Sequence, residues 1–147
     1  MKRFDFPLER VRQWRHEQAS LEELKLQKLY GDLASIDDLR QRTEHELRTA
    51  EQDIQVQNVR RIQDLANLDT FRQFIRRQLG NIAMRRQQCE VKVFEQRQVI
   101  LEARRQFELL DRLRQKALAD WRAARDKEEE ELAAELYLAK RRRDSEM

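Results

Sequence analysis

The sequence predicts an all-α fold, a long antiparallel two-helix coiled coil forming a single domain over residues 1–147. Three observations carry that prediction. Asp, Glu, Lys and Arg make up 40 % of the chain while Gly occurs twice and Pro once, so turn formers are scarce. The many Ala, Leu, Glu, Gln and Arg residues favour long uninterrupted helices. Apolar residues also recur at alternating steps of three and four, which separates this chain from a disordered one of similar charge. At 39 % hydrophobic it can build a narrow seam and not a thick core.

The first helix is expected over about residues 7–60. Pro7 is tolerated at the first position of a helix and not inside one, so the helix should open close to it. Its seam runs Leu26, Leu29, Leu33, Ile36, then Arg40 and Thr43, then Leu47, Ala50 and Ile54. The spacing breaks where Val59, Ile62, Leu65 and Leu68 follow steps of three, which predicts a turn at about 61–69. No Gly or Pro marks it. Thr70-Phe71-Arg72-Gln73 fits the capping-box pattern, which predicts a second helix over about 70–142.

The second seam runs through Leu79, Ile82, Arg86, Cys89, Val93, Gln96, Ile100, Ala103, Phe107, Leu110, Arg114, Ala117, Trp121 and Ala124. A stripe with a period of about 3.5 residues stays on one side of a helix only when the helix supercoils around a partner. Folding back at the expected turn places Ile54 near Ile75, Leu33 near Gln96 and Leu8 near Trp121. At about 1.5 Å per residue such a hairpin would be a thin rod on the order of 105 Å long, with the end of helix 2 from about Arg125 unpaired. There an acidic run, Glu128 to Glu131, precedes Lys140-Arg141-Arg142-Arg143, an order that suits i, i+4 pairing and a helix C-terminus.

Charge and motif content narrow the function classes. The 31 basic and 28 acidic residues nearly cancel, leaving +3. No run of about 18 apolar residues is present to span a bilayer, and no secretory signal opens the chain, so a cytosolic protein without direct membrane insertion is expected. The single cysteine, Cys89, fits a reducing compartment and a small seam position. Phosphate-binding loops need clustered glycines, whereas Gly31 and Gly80 stand far apart with no adjacent Gly-Lys-Ser/Thr. His16 and His45 with one cysteine lack the ligand spacing of a zinc site. No catalytic residue, cofactor or metal is therefore expected. Basic pairs at Arg60-Arg61, Arg76-Arg77, Arg85-Arg86 and Arg104-Arg105 are interleaved with acids and have few aromatic neighbours, so nucleic acid is not an expected partner. Arg40, Arg86 and Arg114 occupy seam positions, where stems pack along the seam and heads reach water. Phe71, Phe74 and Ile75 with Leu68 offer more apolar surface than a two-helix seam covers. They either plug the hairpin tip or dock another protein.

The opening Lys2-Arg3-Phe4-Asp5-Phe6-Pro7-Leu8-Glu9-Arg10-Val11, with Phe-x-Phe-x-Leu-x-x-Val entering a charged helix, resembles the N-terminus of the FliJ family of flagellar type III export proteins. Phe71-Arg72-Gln73-Phe74-Ile75 resembles the aromatic motif at the start of that family's second helix, and Leu109 to Glu130 its C-terminal half. The resemblance implies a non-enzymatic stalk for flagellum biogenesis and chemotaxis, cytoplasmic and peripheral at the inner face of the membrane at the flagellar base. It implies three partners: the hexameric export ATPase, whose ring the stalk enters and whose assembly or activity it promotes, the transmembrane export gate, and export chaperones. By the same resemblance Phe4, Phe6, Leu8, Val11 and Trp121 would face the ATPase ring, and Phe71, Phe74 and Ile75 the gate. The alternatives are the equivalent stalk of a virulence-type secretion system, and a generic basic coiled-coil tether or nucleic-acid binder.

Overall fold

A computed structural model describes residues 2–57 and 62–147. Two helices account for nearly all of them, α1 over Glu9–Gln57 and α2 over Ile62–Glu146, in an all-α helical hairpin. Pro7 stands just outside α1. The Glu9 amide donates to the Phe6 carbonyl at 3.0 Å, and the Arg12 amide to the Leu8 carbonyl at 2.9 Å. The missing proline amide thus falls where a helix start leaves such groups unpaired.

The chain divides into two compact units, one formed by residues 1–19 with 102–147 and the other by residues 20–101. In the second unit the seam is apolar. Ile36, Ile82 and Cys89 form its buried cluster with Leu33 packed against them, and Leu68, Ile75, Val93 and Ile100 continue it along α2. The Cys89 thiol donates to the Leu29 carbonyl at 3.6 Å, so the cysteine is a core residue with its polar atom engaged. Thr43 also faces inward and satisfies its hydroxyl on the Leu39 carbonyl at 2.8 Å. Of the expected seam, Arg40 and Ala124 are exposed.

The start of α2 differs from expectation. The residues from Ile62 to Asp69 are helical, and the Thr70 hydroxyl donates back to the Ala66 carbonyl at 3.0 Å instead of capping a first turn. A threonine inside a helix makes this i−4 bond, so the Thr-x-x-Gln spacing does not distinguish a cap from an interior position. Val59, the Arg60-Arg61 pair and the expected end of helix 1 lie outside the described residues.

An earlier α2 shifts the pairing by about one heptad. Arg72 lies against Glu51, Arg86 against Asp37, and Arg12 against Asp111. Gln96, expected near Leu33, instead donates to the Glu22 carbonyl at 2.9 Å and to its carboxylate at 2.6 Å. Trp121, expected near Leu8, donates its indole N–H to the Lys2 carbonyl at 3.1 Å. A whole-heptad slip keeps the same side chains facing inward, which is why the seam survives the change of partner.

Gly31 and Gly80 both lie inside helices, and a Cβ added at either meets nothing within 4 Å. Neither glycine is required by packing. Replacing either by alanine should raise stability by about 0.5–1 kcal/mol through the lost backbone entropy alone, read as a shift of the urea midpoint. A lower midpoint for Gly80→Ala would show that α2 needs freedom there.

Candidate partner-binding surfaces

The first surface belongs to the unit formed by residues 1–19 and 102–147, where the seam is built largely from polar groups. Arg12 donates through Nε and Nη2 to Asp111 Oδ1 at 3.0 and 2.8 Å and through Nη1 to Glu9 at 3.1 Å. Its guanidinium also stands 5.2 Å from the Phe107 ring centre. Hydrogen bonding to Asp111 holds the Arg12 proton more tightly than usual. Arg15 donates to the Gln106 side chain at 2.5 Å, and Arg114 lies 3.3 Å from the second Glu9 oxygen. The Arg114 head therefore pairs across the seam, as does that of Arg86 on Asp37 at 2.8 Å.

The N-terminal segment is pinned by aromatics. Phe6 is buried at 9 % exposure, and half-buried Phe4 lies 6.0 Å from Trp121 at an interplanar angle of 59°. Arg114 stands 5.8 Å from the Phe4 ring centre and Arg125 5.0 Å from that of Trp121, so two guanidiniums flank the pair. Phe4, Phe6 and Trp121 are consequently engaged in holding residues 2–8 against α2. Leu8 and Val11 are exposed at 42 % and 43 %. Trp14, one further step of three along, is exposed at 49 %, with the Arg15 guanidinium 4.7 Å from its ring. On the α1 side of this unit the exposed apolar side chains are thus Leu8, Val11 and Trp14. Trp14 was legible as the next i, i+3 position after Val11, but it stood outside the aromatic motif.

The second surface belongs to residues 20–101. Ile75 is 1 % exposed, the most buried large side chain described, and offers nothing to a partner. Leu68 lies on the same buried face, Phe71 is half-buried and Phe74 is 48 % exposed. Ile62, Leu65 and Val56 are also exposed in this unit, but helix geometry sets Leu65 on the opposite side of α2 from Phe74, so Phe74 is the exposed apolar side chain of the expected motif. Leu79 and Gly80 continue the helix without a break.

Some charged groups of this unit bridge the two helices, among them Arg72 with Glu51, Arg86 with Asp37 and Glu22 with Gln96. Hydrogen bonding from Arg86 holds the Asp37 carboxyl below its ordinary value of 3.8. The Gln96 amide, then Lys25, does the same for Glu22. Among the described residues no group of three or more His, Cys, Asp and Glu could hold a metal ion, and no helix is long and apolar enough to cross a membrane. The grooves beside the seam, one of them lined by Asp32, Ser35, Arg85, Gln88 and Lys92, are open and shared by flexible side chains. His16 packs on Phe107 with ring centres 5.0 Å apart.

These surfaces belong to a class, the all-α helical hairpins, in which exposed helix faces are available for recognition. No protein-family model, curated protein or solved structure matches this chain.

Proposed function

We propose that the chain is a non-enzymatic cytoplasmic stalk of the flagellar type III export apparatus. It sits in the ring of the export ATPase, promotes that enzyme's assembly or activity, and connects it to the transmembrane export gate and to export chaperones. What supports the reading is the N-terminal motif together with its setting. Phe4 and Phe6 pack the segment down while Leu8, Val11 and Trp14 remain exposed on one face. A hairpin whose partner-facing end keeps its apolar anchors free and fixes the neighbouring chain in place is pre-organised for docking, which lowers the ordering cost of association. The peripheral position at the membrane would follow from the gate contact, with the exposed Phe74 region as the facing surface.

The purified chain should stimulate its cognate export ATPase, or its ring assembly, at stoichiometric amounts. Leu8→Ala combined with Val11→Ala and Trp14→Ala should remove most of that effect while leaving thermal unfolding within about 1 kcal/mol, because all three side chains are already exposed. No stimulation by the wild-type chain would rule the reading out.

A further inference from the structure

The last turns of α2 carry a pattern that the hairpin does not use. The helix continues to Glu146, yet every residue after Arg125 is exposed. Continuing the interhelix seam by heptads would put Glu128, Glu131, Glu135, Leu138 and Arg142 on the inner face, four charged positions out of five, so that seam ends there. Leu132, Leu136 and Ala139, spaced by four and three, form a different apolar stripe, flanked by Tyr137 and Leu138.

On either side of this stripe stand charge blocks of opposite sign, Glu128–Glu131 and Lys140–Arg143. Among the described residues none of these eight side chains forms an ion pair. The i+4 neighbours of the acidic block are Leu132, Ala133, Ala134 and Glu135, and the i−4 neighbours of the basic block are Leu136, Tyr137, Leu138 and Ala139. The expected i, i+4 pairing between the blocks therefore does not occur. They lie about 18 Å apart along the helix, too far to neutralise one another. Each block keeps opposite charges only on its outer side, at Arg125 and Lys127 for the acidic block and at Asp144 and Glu146 for the basic one, and has none on the side of the apolar stripe except Glu135.

The pattern is inverted about its own midpoint, beside Leu136. Laid antiparallel on a second copy, the acidic block of each chain meets the basic block of the other, and the leucine stripes face across a two-fold axis. A parallel arrangement would set acid on acid and base on base. We propose that residues 128–143 of α2 form a self-association surface, pairing antiparallel with the same stretch of a second copy of this chain. The arrangement is isologous, since one patch serves both copies. With a short stripe and solvent-exposed ion pairs, the dimer is weak, reversible and sensitive to salt.

The test uses the full chain in sedimentation-equilibrium experiments at low and high salt. The wild type should show a monomer–dimer equilibrium weakened at least about tenfold by high salt. Two variants separate charge from stickiness. One replaces Glu128–Glu131 by lysine, which leaves Glu135 as the one acid in residues 128–143; the other replaces Lys140–Arg143 by glutamate, which leaves no base in that stretch. Each should be monomeric alone, and an equimolar mixture should dimerise at least as well as the wild type. All the altered positions are exposed, so circular dichroism should show both variants folded. A wild type that is monomeric at every concentration, or variants that dimerise as tightly as it does, would overturn the proposal. So would a wild-type tail that binds phosphatidylserine vesicles through its basic block without self-associating.

Discussion

Ile75→Ala should destabilise the hairpin by about 3 kcal/mol in urea denaturation followed by circular dichroism. Ile75 is 1 % exposed in a core only one side chain thick, and α2 carries few other buried residues near it, Leu68 and Ile82 among them. Register places it opposite the half-buried Leu47 and Ala50, since Arg72 meets Glu51 one turn away. A two-layer seam cannot refill the space from a second shell, so the transfer and cavity costs fall on the same few neighbours. Ile75→Asp should exceed about 4 kcal/mol, because it adds the desolvation of a carboxylate in the seam to the lost apolar packing. Phe74→Ala, one residue away and 48 % exposed, should cost less than about 1 kcal/mol. Equal losses at the two positions would contradict the burial described. The pair also tests which of them a gate-like partner could touch, since only Phe74 can lose binding without losing the fold.

Arg12→Ala should cost about 1–2 kcal/mol, more than an ordinary surface ion pair. Arg12 satisfies Asp111 with two N–H groups, Glu9 with a third, and covers the Phe107 ring, and its side chain is 23 % exposed. Removing it leaves Glu9 with Arg114 alone and Asp111 without its cation. Combined with Asp111→Ala, the two losses should fall short of their sum by about 1 kcal/mol, since each single variant already breaks the same contact. Strict additivity would show that the pair contributes nothing across the seam.

The fold class could be read from the sequence because spacing survives ignorance of the partner. Ile36, Ile82, Cys89, Val93 and Ile100 are buried where the heptads put them, and they would be so in any whole-heptad register. What depended on the reversal was misread. With no Gly or Pro to mark it, the Thr70–Gln73 pattern was the strongest local signal, and an interior threonine mimics it. Ile75 is expected both opposite Ile54 in the seam and, by the family resemblance, beside Phe71 and Phe74 on a gate-facing surface; it is buried, seven residues before Ile82 on the same stripe. Extending the first seam upstream from Leu26 gives Glu22, Ala19, Arg15 and Arg12, a series with one apolar member. An apolar pattern search ends there, yet Arg12, Arg15 and Glu22 all bond across to α2. Of the candidate surfaces, Leu8 and Val11 were readable from the motif, while Trp14 and the exposure of Phe74 needed the faces assigned.

The polar stretch of the seam has a mechanical consequence. Greasy surfaces can creep past one another in small steps, since one methyl contact replaces the next at little cost. Guanidinium–carboxylate and amide contacts such as Arg12 on Asp111 and Arg15 on Gln106 are directional and must be broken together before any sliding begins. In the unit that contains them, these contacts should resist sliding of one helix along the other. A push or twist applied to one helix there would then pass to the other before the two could slip.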